Sequence, residues 1–284
     1  MIKKINIALA AAFVALFLLK TVVSLVSGAR AHKTASDGPV TAEVRNAEFA
    51  PNVYFMVYPP YFWPNPLTKR NGYVNDIVTA VFPNAKLVQI SVVTKEGYVE
   101  KLMNDPHAVV VYTGHPRLMG FPHSDVSLAD LDICLTTLRT SEWRYEGPES
   151  LKKIKIGLCA DDAEDSGLIR EYCRTFKDDP AKLKLYTSTV AADVMNRELD
   201  NEVIDAFLSV RLPTRFVMNS SNARTLVRYR LSDAIDTIPL RLFVSNLDPD
   251  WSAALLDAYA RGMKEIEASG ELRRIREYYG IGEE

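Results

Sequence analysis

Apolar and polar positions along this chain switch between two rhythms, and the switching predicts an α/β protein. Val53 to Val57 is a short apolar run that reads as a buried strand. Asn75 to Val81 follows as a short helix, Leu87 to Val93 as a second strand, Lys95 to Met103 as a helix and Ala108 to Tyr112 as a third strand. That order is the pattern of a parallel sheet with helices on its faces. Ligands on such sheets sit in the loops beyond the carboxyl ends of the strands.

The rhythm then repeats. Ser150 to Lys153 reads as a short helix, Ile154 to Cys159 as a strand, Ser166 to Phe176 as a helix and Lys184 to Tyr186 as a strand. A helix from Ala191 to Leu199 and a strand from Ile204 to Leu208 complete a second unit. Asp250 to Tyr279 is strongly helical, with Asp250 as the expected N-cap and a break at Ser269-Gly270. Leu255, Tyr259, Met263 and Ile266 share one face of it. Two extended stretches, Ile133 to Tyr145 and Thr237 to Asn246, lie between the units. Two crossings mean that the chain leaves the first unit, builds the second and returns. The expected fold is therefore two-lobed, each lobe a βαβ-type sheet with helices on both faces, and the two crossings act as hinge strands. The expected division is 48–137 plus 240–284 for the first lobe and 138–239 for the second.

The N-terminus follows a different pattern. Lys3 and Lys4 precede an apolar run from Ile5 to Leu19, and Ala29-Arg30-Ala31 offers small residues where a signal peptidase reads. Residues 1–31 are expected to be a secretory signal, with 32–47 as a flexible lead-in, which places the mature protein in the periplasm. The run is shorter than the about 20 residues that span a bilayer. An uncleaved anchor reaching Val26 past Lys20 is the alternative.

Composition narrows the function. The 34 basic and 36 acidic residues leave a net charge of -2, so nothing favours nucleic acid. Cys134, Cys159 and Cys173 have no CxxC spacing, and a Cys159–Cys173 bridge is one arrangement open to them. His32, His107, His115 and His123 are scattered, and His115 is expected to be solvated. No phosphate loop, GxSxG or HExxH motif occurs, so neither catalysis nor a cofactor or metal is expected. Arg211, Arg215, Arg224, Arg228 and Arg230 read as a solvated basic face.

Six segments in order resemble the family-3 bacterial extracellular solute-binding proteins, which have the type II periplasmic binding protein fold and serve polar amino-acid ABC importers. They are Tyr58-Pro59-Pro60-Tyr61-Phe62, Gly72-Tyr73-Val74-Asn75-Asp76-Ile77, and Arg117 with Ser124-Asp125. Further on come Glu149-Ser150-Leu151 through Ile156-Gly157, Val203-Ile204-Asp205-Ala206, and Gly270 through Gly280. The likeness spans about residues 48 to 281.

The resemblance implies that Arg117 grips a ligand carboxylate, since a guanidinium presents paired donors to two oxygens. It places an aromatic wall at Tyr58 or Tyr61, and a polar contact at Thr113 or Gly114. Asp205 and Asp76 read as structural. Two departures stand out. Where the family has Gly-Thr-Thr at a helix start, this chain has Asp161-Asp162-Ala163-Glu164-Asp165. These acids serve as helix caps or, at Asp162, as a contact to a cationic ligand. Where the family pairs the ligand ammonium with an aspartate, this chain has Val210, with Ser209 the nearest polar group. The resemblance implies a monomeric receptor that captures a small polar solute, an amino acid or related organic acid, for an ABC permease in the inner membrane. An orphan or sensory binding protein and a periplasmic dehydratase are the alternatives.

Overall fold

The computed structural model describes residues 46–64, 70–90, 95–164, 167–187, 191–220 and 228–281. The expected secretory segment, nearly all of the lead-in, Asp165 and Arg224 lie outside the described residues. In the first lobe, β1 (Asn52–Phe55), α1 (Tyr73–Val81), β2 (Lys86–Gln89), α2 (Lys95–Asn104) and β3 (Ala108–Tyr112) follow the predicted order. β4 (Ala129–Leu138) crosses to the second lobe. There α3 (Pro148–Leu151), β5 (Ile156–Cys159), a 3-10 turn (Ala160–Glu164), α4 (Gly167–Phe176), β6 (Leu183–Tyr186), α5 (Ala191–Asp200) and β7 (Ala206–Val210) repeat the pattern. Two elements were not legible in the sequence, α6 (Arg211–Ser220) and β8 (Tyr229–Leu231). β9 (Asp236–Val244) returns, and α7 (Pro249–Ala268) and α8 (Glu271–Tyr278) close the chain.

The strands run β2-β1-β3-β9-β4-β7-β5-β6, with β8 also paired to β4. β1 pairs in parallel with β2 and β3, and β5 with β6 and β7, as expected. The two crossings are themselves strands, as expected, and they join the sheets of the two lobes. Asp236 to Leu240 of β9 pair antiparallel with Ala129 to Ile133 of β4. Arg241 to Val244 of the same strand pair with Val109 to Tyr112 of β3. β9 thus belongs to both lobes, and it changes partner between Leu240 and Arg241. β3 reads as an unbroken apolar run up to its last residue because both of its faces are covered. β3 is buried at all but its last residue.

Helix α7 begins two residues earlier than predicted. Asp248, not Asp250, is the N-cap and accepts from the Trp251 N–H, while Asp250 falls in the first turn. The predicted face is the buried one: Leu255, Tyr259, Met263 and Ile266 all pack inward. The basic stretch is also not simply a solvated face. Arg230 is half-buried and donates to the carbonyl of Trp143 at 2.8 Å, and Arg211 lies 3.5 Å from Asp132. Arg228 pairs with Asp200 at 2.7 Å.

One cluster fixes the loop that follows β1. α1 has no side-chain cap; its first N–H groups, from Tyr73 and Val74, donate to the carbonyls of Pro60 and Tyr61. Asp76 accepts from Arg70, from the Asn71 N–H and from the Tyr279 hydroxyl, and that hydroxyl accepts from the Gly72 N–H. Asp76 is thus structural, as read from the sequence. So is Asp205, whose carboxylate accepts from the Lys155 N–H just before β7. Gly72 has φ +98, and a Cβ there would lie 2.4 Å from the Trp63 nitrogen and 2.6 Å from the Tyr61 oxygen. Both conflicts are with backbone, so no side-chain rotation relieves them.

Gly72→Ala is therefore expected to lower stability by about 2 kcal/mol or more. Gly120→Ala, whose Cβ would meet nothing within 4 Å, is expected to stay within about 0.5 kcal/mol of the parent. Urea unfolding midpoints of the two variants provide the comparison.

A cleft between the two lobes

The carboxyl ends of β1, β3, β5 and β7 open onto a cavity of about 540 Å³. Its floor is the crossing pair: Leu131 and Ile133 of β4 and Ile238 and Leu240 of β9. Each strand contributes every second residue, as the two-residue period requires. The first lobe supplies Met56, Tyr58, Phe62, Tyr98 and the segment Val111 to Thr113. The second supplies Cys159, Asp162 and the segment Phe207 to Val210. Two helices add one face each at helical spacing: Ala191, Ala192, Met195 and Asn196 from α5, and Pro213, Thr214, Val217 and Met218 from α6. Pro213 is tolerated there because a first-turn residue has no intrahelical N–H bond to lose.

The wall is mostly apolar, and its polar groups are few. Thr136 and Ser209, both buried, join hydroxyl to hydroxyl at 2.6 Å. Tyr98 accepts from the Met56 N–H, and burial pushes its phenol up to about 12 against the lowering effect of that bond. Tyr229 donates to Asp200, and burial, then that carboxylate, push it up to about 12. Both phenols stay neutral at physiological pH. Thr113 is 5% exposed and its Oγ1 has no hydrogen-bond partner. An orphaned buried hydroxyl carries its desolvation cost uncompensated, which a bound solute can relieve. Among the described residues Asp162 is the one charged side chain on the wall, and no Lys, Arg or His lines it.

At the mouth the lobes touch. Trp63, beyond Phe62 on the first lobe, meets Phe216 on α6 of the second, ring centroids 4.9 Å apart and planes at 73°. Tyr58 and Val217, both more than one-third exposed, line the cavity near the same rim.

Of the site residues read from the sequence, the structure brings Tyr58, Thr113, Asp162 and Ser209 to the cavity. Tyr61, Gly114 and Arg117 do not line it. Tyr58 and Phe62 bridge the turn, which contains a cis Pro59–Pro60 bond, and Tyr61 turns into the core beside Tyr73. Arg117 lies outside the cavity. Its side chain is 58% exposed and pairs with Glu96 on α2. The cause is the turn around it. Leu118 is fully buried and His115 is 7% exposed, with its ring accepting from the Arg117 N–H. Seating those two inward leaves Arg117 facing out. His115 is accordingly buried, not solvated. Ser124, the other half of that motif, accepts from the Leu242 N–H of β9 and serves the hinge.

Sequence reasoning missed Met195, Phe207 and the α6 face, although the spacing 191, 192, 195 and 196 marked one side of a predicted helix. No disulfide joins Cys159 and Cys173, and burial pushes the Cys134 thiol up to about 12. Among the described residues no group of three His, Cys, Asp or Glu is placed for a metal, and no helix is long and apolar enough to cross a membrane.

Trp63→Ala is expected to remove an aromatic pair worth about 1 kcal/mol and to shift the lobes apart. A rise in radius of gyration by small-angle X-ray scattering is the expected reading, and an unchanged value would show that the mouth contact does not hold the lobes.

No protein-family model and no curated protein matches the chain. Solved structures do. A mutant of ArgBP from T. maritima superposes with a TM-score of 0.58 at 17% identity, covering 81% of this chain and 95% of that one. The probable amino-acid ABC transporter extracellular-binding protein ytmK from Bacillus subtilis gives 0.59 at 13%, covering 82% and 100%. A histidine kinase sensor domain with similarity to periplasmic binding proteins gives 0.60 at 19%, covering 81% and 96%. At such identities the likeness establishes the fold: this chain has the two-lobed fold of the amino-acid-binding periplasmic proteins.

Proposed function

We propose that the chain is a non-catalytic receptor that closes its two lobes over a small, largely apolar solute in the periplasm and presents the closed form to an ABC permease. The observation that carries this reading is the cavity itself. Both lobes and both crossing strands line it, so a solute inside makes contacts that exist only while the lobes are together. Such contacts shift the population toward the closed state. The volume falls within the range of roughly 300–1,000 Å³ usual for small-molecule sites.

The lining supports a less polar solute than the one expected from the sequence. A free amino acid needs a cation for its carboxylate and a paired anion for its ammonium. Arg117 is outside the cavity, and Val210 stands on the wall where the resemblance implies an aspartate. Burying an unpaired charge costs several kcal/mol, roughly. The apolar lining supports a solute held mainly by surface burial, at about 25 cal/mol per Å². A signalling receptor of the same architecture is the second reading, supported by the likeness to a sensor domain. Loss of labelled-solute uptake on deletion separates transport from signalling.

A thermal-shift screen of the mature chain against apolar amines, alcohols, acids and amino acids tests the receptor reading. A ligand at 100 times its dissociation constant adds about 2.7 kcal/mol. Val210→Trp, which fills the cavity, is expected to abolish any such shift. Arg117→Ala, at an exposed ion pair, is expected to leave both binding and stability within about 0.5 kcal/mol. Binding that survives Val210→Trp, or that is lost with Arg117→Ala, overturns the site.

A further inference from the structure

The polar groups on the cavity wall select the kind of solute it takes. A charged solute gives up its hydration when the lobes shut, and only a counter-ion or matched hydrogen bonds on the wall restore what it loses. Among the described residues no Lys, Arg or His lines the cavity, so a carboxylate finds no paired cation there. Asp162, the acidic residue on the wall, already takes part in an interaction within the protein and is not a spare counter-ion for an ammonium. The lining thus favours an uncharged molecule.

The hydroxyls of the wall narrow the choice. Thr136 and Ser209 are joined at 2.6 Å, Tyr229 donates to Asp200, and Tyr98 accepts from the Met56 N–H. Thr113 differs. It lines the cavity, is 5% exposed, and its Oγ1 has no hydrogen-bond partner. Its position is fixed by the backbone, since its carbonyl accepts from the His115 N–H at 2.7 Å in the turn that leaves β3. The floor offers no competing polar side chain: Leu131 and Ile133 of β4 and Ile238 and Leu240 of β9 are all aliphatic. A threonine hydroxyl both donates and accepts, and a solute hydroxyl does the same, so a single group answers both halves of Thr113. A solute without one leaves that hydroxyl buried and unanswered. Resting on the receptor reading, we propose that the solute is an uncharged alcohol with an apolar body: its hydroxyl pairs with Thr113 on the first lobe, and its body lies on the crossing strands. Burial of the body supplies the affinity, and the hydroxyl supplies the selection.

Matched probes test this directly. Ethylbenzene, 2-phenylethanol, phenethylamine and 3-phenylpropionate share one aromatic body and differ in the terminal group. Calorimetry at neutral pH is expected to rank the alcohol over the hydrocarbon by about fivefold or more. The amine and the carboxylate are expected to bind more weakly than the alcohol by about tenfold or more. Thr113→Val is expected to narrow the gap between 2-phenylethanol and ethylbenzene to less than about twofold, and Thr113→Ser, which keeps the hydroxyl, to preserve it. Equal or tighter binding of the hydrocarbon, the amine or the carboxylate by the parent protein, or a gap that persists in Thr113→Val, overturns the alcohol assignment. If the alcohol does not bind but another compound from the screen does, and loses binding in Val210→Trp, the assignment falls alone and the receptor reading stands. If nothing binds in the cavity, both fall together.

Discussion

The antiparallel pairing of β4 with β9 is the contact on which the molecule depends. Ala129 meets Leu240 and Ile133 meets Asp236, so the two passages between the lobes are one hydrogen-bonded ribbon. At Leu240 the ribbon ends for β9, which turns to β3 and enters the first lobe's sheet. A strand shared in this way holds the lobes in register and still lets them twist, because the change of partner falls between two residues rather than within a ladder. The same ribbon supplies the cavity floor. Hinge and binding surface are therefore one piece of backbone.

The interior built above that floor follows a simple electrostatic rule. Thr136 and Ser209 satisfy each other, Tyr229 is bonded to Asp200, and the Thr113 hydroxyl is left without a partner. Among the described residues no Lys, Arg or His lines the wall. Arg117 is spent on Glu96, and Arg211 faces Asp132 beside the hinge instead of the cavity.

Much of the fold was legible because periodicity speaks for buried elements. β3, α7 and the parallel strands of both lobes were visible as apolar runs or stripes, and their partners followed from the βαβ rule. α6 was not, since Arg211, Pro213 and Arg215 masked the face formed by Pro213, Thr214, Val217 and Met218. The site was less legible than the fold. Tyr58, Thr113, Asp162 and Ser209 could be placed because they follow strand ends or open a helical segment. Arg117 and Tyr61 could not, because in a turn one buried neighbour decides which way a side chain faces. Leu118 decides it for Arg117, and the packing beside Tyr73 decides it for Tyr61.

The phenol of Tyr279 has a mechanical consequence. It binds both Asp76 and the Gly72 N–H, so the end of α8 is fastened to the start of α1, whose Tyr73 and Val74 N–H groups in turn hold the loop between Tyr58 and Phe62. Force or bulk applied just behind that residue, such as a fused tag or a tethering surface, is transmitted to the rim of the chamber. The tail of the sequence is in this sense a handle on its entrance.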